Sequence, residues 1–366
     1  MSIAVAGHIC LDIIPDFGER HPGLENIFIP GTLTEIGNAT LSTGGAVSNT
    51  GIALHRLEMP VRLMAKIGAD DFGQTIRNIL RRQGTSLDEG MITGPDAQTS
   101  YSIVINPRGV DRIFLHCPGA NHTFCAADID DDQLRGIELF HFGYPTLMRS
   151  IYQNNGSEMK RLFDRAQSAG AYTSLDMTCV DPASEAGQVD WAQWLKNVLP
   201  SVDIFLPSID EILFMIHPAK YAELTEKFPG ELMQGIDRAL VEQTAQTLID
   251  LGVSIVVIKL GSQGLYLRTG AHVRGRGAEW NNVSLFMPCL KTEVIGTTGA
   301  GDCTIAGFLA AFLKKEPPKT AAEIAAAVGA FNTESADATS AVPSWDQVLQ
   351  RLNAGWNRLE SKFVCS

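Results

Sequence analysis

The chain has 366 residues, a formal net charge of −12, and an apolar content of 45%. That length fits one large α/β domain or two domains, and the apolar share allows a sizeable core. The acidic balance argues against nucleic acid or an anionic membrane surface as the main partner, but not against an anionic ligand, because a phosphate needs only local amides, a metal or one lysine. Seven cysteines with no C-x-x-C spacing read as reduced thiols rather than a disulfide framework or a zinc site. No basic segment leads a long apolar stretch, and no run is long enough to span a bilayer, so a soluble, cytoplasmic protein is expected.

In chain order, Ser2 to Gly7 reads as a buried strand. Residues 13–40 are rich in Pro and Gly, with a short β-like piece at Asn26-Ile27-Phe28-Ile29. Gly44-Gly45 is a glycine turn that opens a helix through Leu57. A strand over Val61–Ile67 and an amphipathic helix over Phe72–Gln83, stopped by Gly84, come next. Residues 98–117 alternate about Asn106-Pro107-Arg108-Gly109 and predict a β-hairpin. Thereafter strand-like runs (139–142, 172–177, 204–206, 254–260) alternate with helical ones (157–169, 238–251). This alternation predicts a mainly parallel sheet with helices on both faces. The two β-rich pieces at 13–40 and 98–117 fall outside it and are expected to form a separate small sheet.

Strand-like runs over Leu285–Ile295 and a buried helix over Cys303–Leu313 flank Gly296-Thr297-Thr298-Gly299-Ala300-Gly301-Asp302. A helix start offers unpaired amides and the positive end of a dipole, and glycines admit a phosphoryl group close to the backbone. Asp302 in the first turn serves either as a helix cap or as a base. An acid set against a phosphate is poor for binding, but it suits removal of a proton from an attacking hydroxyl. No Gly-Lys-Ser/Thr follows, so this is not a Walker motif. Gly44 and Gly45 would let a small polar ligand approach, with Asp12 and Asn49 as hydroxyl partners. The ends of parallel strands are where such a pocket is expected.

These segments resemble the PfkB (ribokinase-like) family of carbohydrate kinases nearly end to end. Gly44-Gly45-Ala46-Val47-Ser48-Asn49 with Lys66-Ile67-Gly68-Ala69-Asp70-Asp71-Phe72-Gly73 is similar to its N-terminal signature, and Gly296–Asp302 to its C-terminal one, about 250 residues on. Val256 to Gly264 resembles the strand and turn bordering the nucleotide. The resemblance implies one domain over 1–366, with a Rossmann-like sheet and a small β lid made from about 13–40 and 98–117. It also implies ATP, Mg²⁺ and transfer of the γ-phosphoryl group to a hydroxyl of a sugar or sugar acid. Asp302 matches the base, and Gly299, Ala300 and Gly301 the anion hole. Asp12, Gly44, Gly45 and Asn49 match acceptor positions. Lys259, Gly261, Gly264, Thr298 and Asn332 fall on the nucleotide side, and Glu211 matches an acid associated with the metal. Arg108, Arg112, His116 and Asn121 are available as lid contacts to a carboxylate or hydroxyls.

Three positions depart from the family pattern. Gly296 replaces an Asp, Ser208 an Asn, and Ala341 a Ser of ribose-type members. The missing side-chain oxygen at Gly296 argues against strong potassium activation. Two other readings stay open: a nucleoside kinase of the same fold, and a non-catalytic member that senses a sugar or nucleotide. A homodimer through the outer face of the lid is expected, because exposed apolar edges rarely stay free.

Overall fold

The computed structural model describes residues 2–18, 24, 27–107 and 112–364, so Asn26, Arg108, Gly109 and the last cysteine lie outside the described residues. The strands are β1 (Ile3–Gly7), β2 (Cys10–Pro15), β3 (Ala39–Gly44), β4 (Val61–Gly68), β5 (Met91–Gly94), β6 (Tyr101–Ile105) and β7 (Ile113–Cys117). They continue as β8 (Leu139–Gly143), β9 (Tyr172–Leu175), β10 (Ile204–Phe205), β11 (Ile255–Lys259), β12 (Leu265–Thr269) and β13 (Ser284–Met287).

The main sheet has the order β13-β12-β11-β10-β9-β8-β1-β4-β5. Strands from β5 to β11 pair in parallel, and β12 and β13 close one side antiparallel. Because successive strand residues face opposite ways, Ile3 and Val5 enter one core cluster, while Ala4 and Ala6 enter the other. Burial on both faces explains why β1 reads as an unbroken apolar run. On one face the helix Ala300–Leu313 packs against the helices Pro318–Asn332 and Ala46–Arg56. Its surroundings are apolar on nearly every side, which is why it carries almost no polar face.

A second sheet, ordered β3-β2-β6-β7, draws its strands from the two β-rich segments. β2 pairs antiparallel with β3 and parallel with β6, and β6 with β7 forms the expected hairpin. Two expected strand pieces are corrected. Phe28 and Ile29 are exposed outside any strand. The run Leu285–Ile295 is a strand only through Met287, and Val294 and Ile295 lie exposed at 62% and 63%. In both places apolar side chains occur without a neighbouring strand to complete a ladder, so local β propensity finds no partner. Among the described residues no helix is long and apolar enough to cross a membrane.

Candidate active site

Five neighbouring parallel strands end at one edge of the main sheet, and each delivers a polar residue there. β1 is followed by His8, β8 by Tyr144 and β9 by Asp176, while β10 leads to the helix Ile209–Ile216 with Glu211, and β11 ends on Lys259. Register holds these ends level: Gly7 lies opposite Gly143, His8 N donates to Gly143 O, and Asp176 N donates to Phe142 O. The helix Ala300–Leu313 points its N-terminus at the same edge.

Gly299 caps that helix at φ 74°, a left-handed conformation that costs an L side chain about 1–2 kcal/mol. It offers no side chain to the first turn. The Ala300 amide bonds back to Thr297 O at 3.2 Å. Among the described residues the amides of Gly299, Gly301 and Asp302 have no protein acceptor, which leaves three donors at the positive end of the helix. Thr298 is half-buried in the turn itself.

Asp302 is 4% exposed. Asn49 Nδ2 donates to its Oδ2 at 2.9 Å, and Tyr144 Oη donates to both oxygens at 2.9 and 3.0 Å. Burial pushes its carboxyl above the ordinary range, while Asn49, Lys259, Tyr144 and Thr50 pull it down. Asn49 thus links the Gly44-Gly45 turn to the expected base. Gly45 sits at φ 92° against His8, and a side chain on Gly44 would strike the Asp12 carboxylate. Gly44 therefore clears space beside Asp12 and Gly45 beside His8. The Asp12 carboxyl is raised by burial and accepts from Cys10 Sγ at 3.3 Å.

Lys259 Nζ lies 2.7 Å from Asp176 Oδ1. Burial pushes the Asp176 and Glu211 carboxyls up, and Lys259 opposes this in both. The Lys259 ammonium is itself held protonated by Asp176 and Glu211 against the cost of burial. One ammonium faces three buried acids, and it favours the ionised form most in Asp176, which it pairs directly. Glu211 also accepts from Ser208 N at 2.7 Å in a capping box, which gives Ser208 a structural role where the family pattern has Asn.

Gly261 and Gly264 flank a short turn after Lys259, both at positive φ, and Gly261 has open space beside it. Asn332 is fully buried, and its amide donates to Ala338 O at 2.6 Å, so it holds the loop behind Gly299. That loop also explains Gly296. A Cβ there would stand 2.8 Å from Ser335 O and 3.0 Å from Ala336 Cα. From the small sheet, Arg112 Nη2 donates to Thr297 Oγ1 at 3.3 Å, and His116 faces His8. Asn121 is buried against the backbone of Ile9.

Tyr144 and Asp176 are the residues that sequence reasoning missed. Each is a single polar residue at the end of an apolar strand, and the strand end was the only available signal.

A family model described as pfkB family carbohydrate kinase matches residues 2–345. An uncharacterized sugar kinase of Archaeoglobus fulgidus is 27% identical over 263 residues, which are 72% of this chain and 87% of that protein. Fructokinase-2 of Solanum lycopersicum is 24% identical over 96% of this chain and all of its own length. Among solved structures, a fructokinase from Xylella fastidiosa with bound ATP superposes with a TM-score of 0.72 at 18% identity, covering 96% of this chain and 98% of that one. The fold is therefore ribokinase-like.

Proposed function

The chain belongs to the pfkB family of carbohydrate kinases, and from that premise we propose that it moves the γ-phosphoryl group of ATP to a hydroxyl of a sugar or sugar acid. The observation that carries this reading is the Asp302 carboxylate, buried at the first turn of a helix with unpaired amides, between Asn49 on one side and Lys259 on the other. Asp302 accepts the proton of the acceptor hydroxyl. The freed oxygen bonds to the γ-phosphorus as the bond to the β–γ bridging oxygen breaks, and ADP leaves. The turn Gly299-Ala300-Gly301 is the anion hole, acting on charge that develops on the transferred group.

Asp12, Gly44, Gly45 and Asn49 hold the acceptor. Lys259, Gly261, Gly264 and Thr298 border the nucleotide, with Asn332 supporting the loop beneath. The exposed Val294 and Ile295 add an apolar ledge beside the anion turn, suited to a base. Mg²⁺ prefers oxygen ligands, and the donor set fits it: Asp176 Oδ2 is buried without a partner among the described residues, and Glu211 belongs to the same cluster. Those two acids would hold the ion, which supplies charge neutralisation on the phosphates. No side-chain oxygen is available at Gly296, and backbone fills the space beside it, so strong potassium activation is not expected. The small sheet serves as a lid over the acceptor and as the contact between two copies of the chain.

The test is Asp302→Asn. General-base catalysis is worth about 10²–10⁴-fold, so kcat should fall by about 10³-fold while nucleotide affinity, measured by calorimetry, stays near that of the parent. A nearly normal rate would sink the mechanism. A panel of sugars, sugar acids and nucleosides read by ADP release then identifies the acceptor class.

A further inference from the structure

Beside the acceptor residues lies a group that the kinase reaction does not use. His8, Cys10 and His116 bring one ligand atom each to within 4.8 Å of one another, the one such trio of His, Cys, Asp or Glu among the described residues. We propose that these three side chains form a binding site for a soft divalent cation of the zinc class, which ties the small sheet to the edge of the main sheet.

The geometry supports it in four ways. First, His8 Nε2 and His116 Nε2 are 3.3 Å apart. Two nitrogens bound tetrahedrally at about 2.0–2.1 Å from zinc stand about 3.3 Å from each other. Second, His116 Nδ1 is 3.0 Å from Ser102 Oγ, the outer hydrogen bond that orients a ligating imidazole and leaves Nε2 as the donor to metal. Third, His8 Nδ1 is buried without a hydrogen-bond partner among the described residues, 2.5 Å from where a Cβ on Gly45 would stand, so Nε2 is the nitrogen that His8 can offer. Fourth, His8 and Cys10 are buried and His116 is half-buried, and three protein ligands leave one position of a tetrahedral ion to water or a small ligand. Two imidazoles and a thiolate select zinc-like ions over Mg²⁺, which separates this site from the Asp176–Glu211 oxygens. Spacing along the chain hides it, because His116 is brought in by the hairpin.

Binding releases the Cys10 proton and draws Sγ away from Asp12, which it now touches at 3.3 Å. It also bridges β7 to the residues after β1. Occupancy should therefore weaken acceptor binding. This consequence rests on the acceptor role of Asp12, whereas the metal site itself does not.

The experiment uses the full chain, stripped with a chelator and titrated with Co²⁺. One equivalent should bind, with a thiolate-to-cobalt charge-transfer band and intense visible bands of tetrahedral cobalt, and Zn²⁺ should displace it. Cys10→Ser should abolish the charge-transfer band, His116→Ala should weaken binding at least tenfold, and Cys179→Ser, at an exposed cysteine, should leave the band in place. Should the variants misfold, the parent protein decides: one equivalent of Co²⁺ must raise the thiolate-to-cobalt band, and Zn²⁺ must remove it. No saturable binding, no thiolate-to-cobalt band in the parent, or a band that survives Cys10→Ser overturns the site. Kinase assays are read separately. Stoichiometric binding with no rise in acceptor KM upholds the site and overturns only its effect on Asp12.

Discussion

Tyr144 shows how one side chain can tune the expected base without taking part in bond making. It stands just past β8 in a left-handed conformation, φ 62°, that is uncommon for a bulky residue. That conformation aims its hydroxyl at both oxygens of Asp302. The bond favours the ionised carboxylate, whereas burial favours the protonated one. In Tyr144→Phe that support is lost, so the Asp302 carboxyl rises further and its ionised fraction at a given pH falls. Loss of rate appears at low pH, where the base is protonated. The acid limb of kcat/KM should therefore move to higher pH, while kcat on the alkaline plateau is retained. A profile measured from acid pH to the plateau checks this. A purely structural role for Tyr144 would lower the plateau and leave the limb in place.

At the scale of the element, the start of the helix Ala300–Leu313 separates fold from chemistry through two glycines two residues apart. A Cβ on Gly299 would meet Ala338 O at 2.7 Å, in a backbone conformation that is itself strained for alanine. On Gly301 the nearest atom would be Lys259 Cδ at 3.6 Å, an ordinary contact. Gly299→Ala should thus cost about 2 kcal/mol or more in stability, the left-handed penalty plus the overlap, and show a lower Tm. Gly301→Ala should keep the parent Tm and lose rate, because its methyl enters the space where a phosphoryl group approaches. Thermal melts beside kcat for both variants test the distinction. Equal Tm losses in the two would count against it.

The same element shows what could be read in advance. A glycine turn followed by an apolar run predicts a helix start open to an anion, and both glycine turns stand where that pattern places them. The strand expected immediately before the turn is absent, since apolar residues such as Val294 and Ile295 can serve a surface as well as a ladder. Tyr144 and Asp176 were beyond reach for another reason. Their meeting with Asp302 and Lys259 depends on β8 and β9 lying between β1 and β10, and local sequence does not state strand order.

For the whole molecule, the outstanding surface is the small sheet. Among the described residues, eight of the thirteen exposed large apolar side chains, including Leu41, Ile113 and Leu115, lie on β3, on β7 or in the segment between β2 and β3. The pairing places Leu41 opposite Ile13, Ile13 opposite Ile103, and Ile103 opposite Leu115. This row crosses all four strands on the face away from His116 and Asp12. Ile13 and Ile103 are partly covered from within, while Leu41 and Leu115 stay 49% and 52% exposed at the two edges. An apolar row of this kind on two edge strands is suited to a second copy of the same sheet, crossed over the first. Burying one leucine is worth about 1.5–3 kcal/mol, so Leu41→Lys and Leu115→Lys should each weaken association at least about tenfold. The parent should scatter light as a dimer at micromolar concentration, and the double variant as a monomer with its melting temperature little changed. A monomeric parent, or a double variant that remains dimeric, would place the contact elsewhere or remove it. Because β2 and β7 also carry Asp12 and His116, loss of the contact should raise the acceptor KM more than it lowers kcat, as a loosened lid binds acceptor less tightly while Asp302 and the anion turn are untouched.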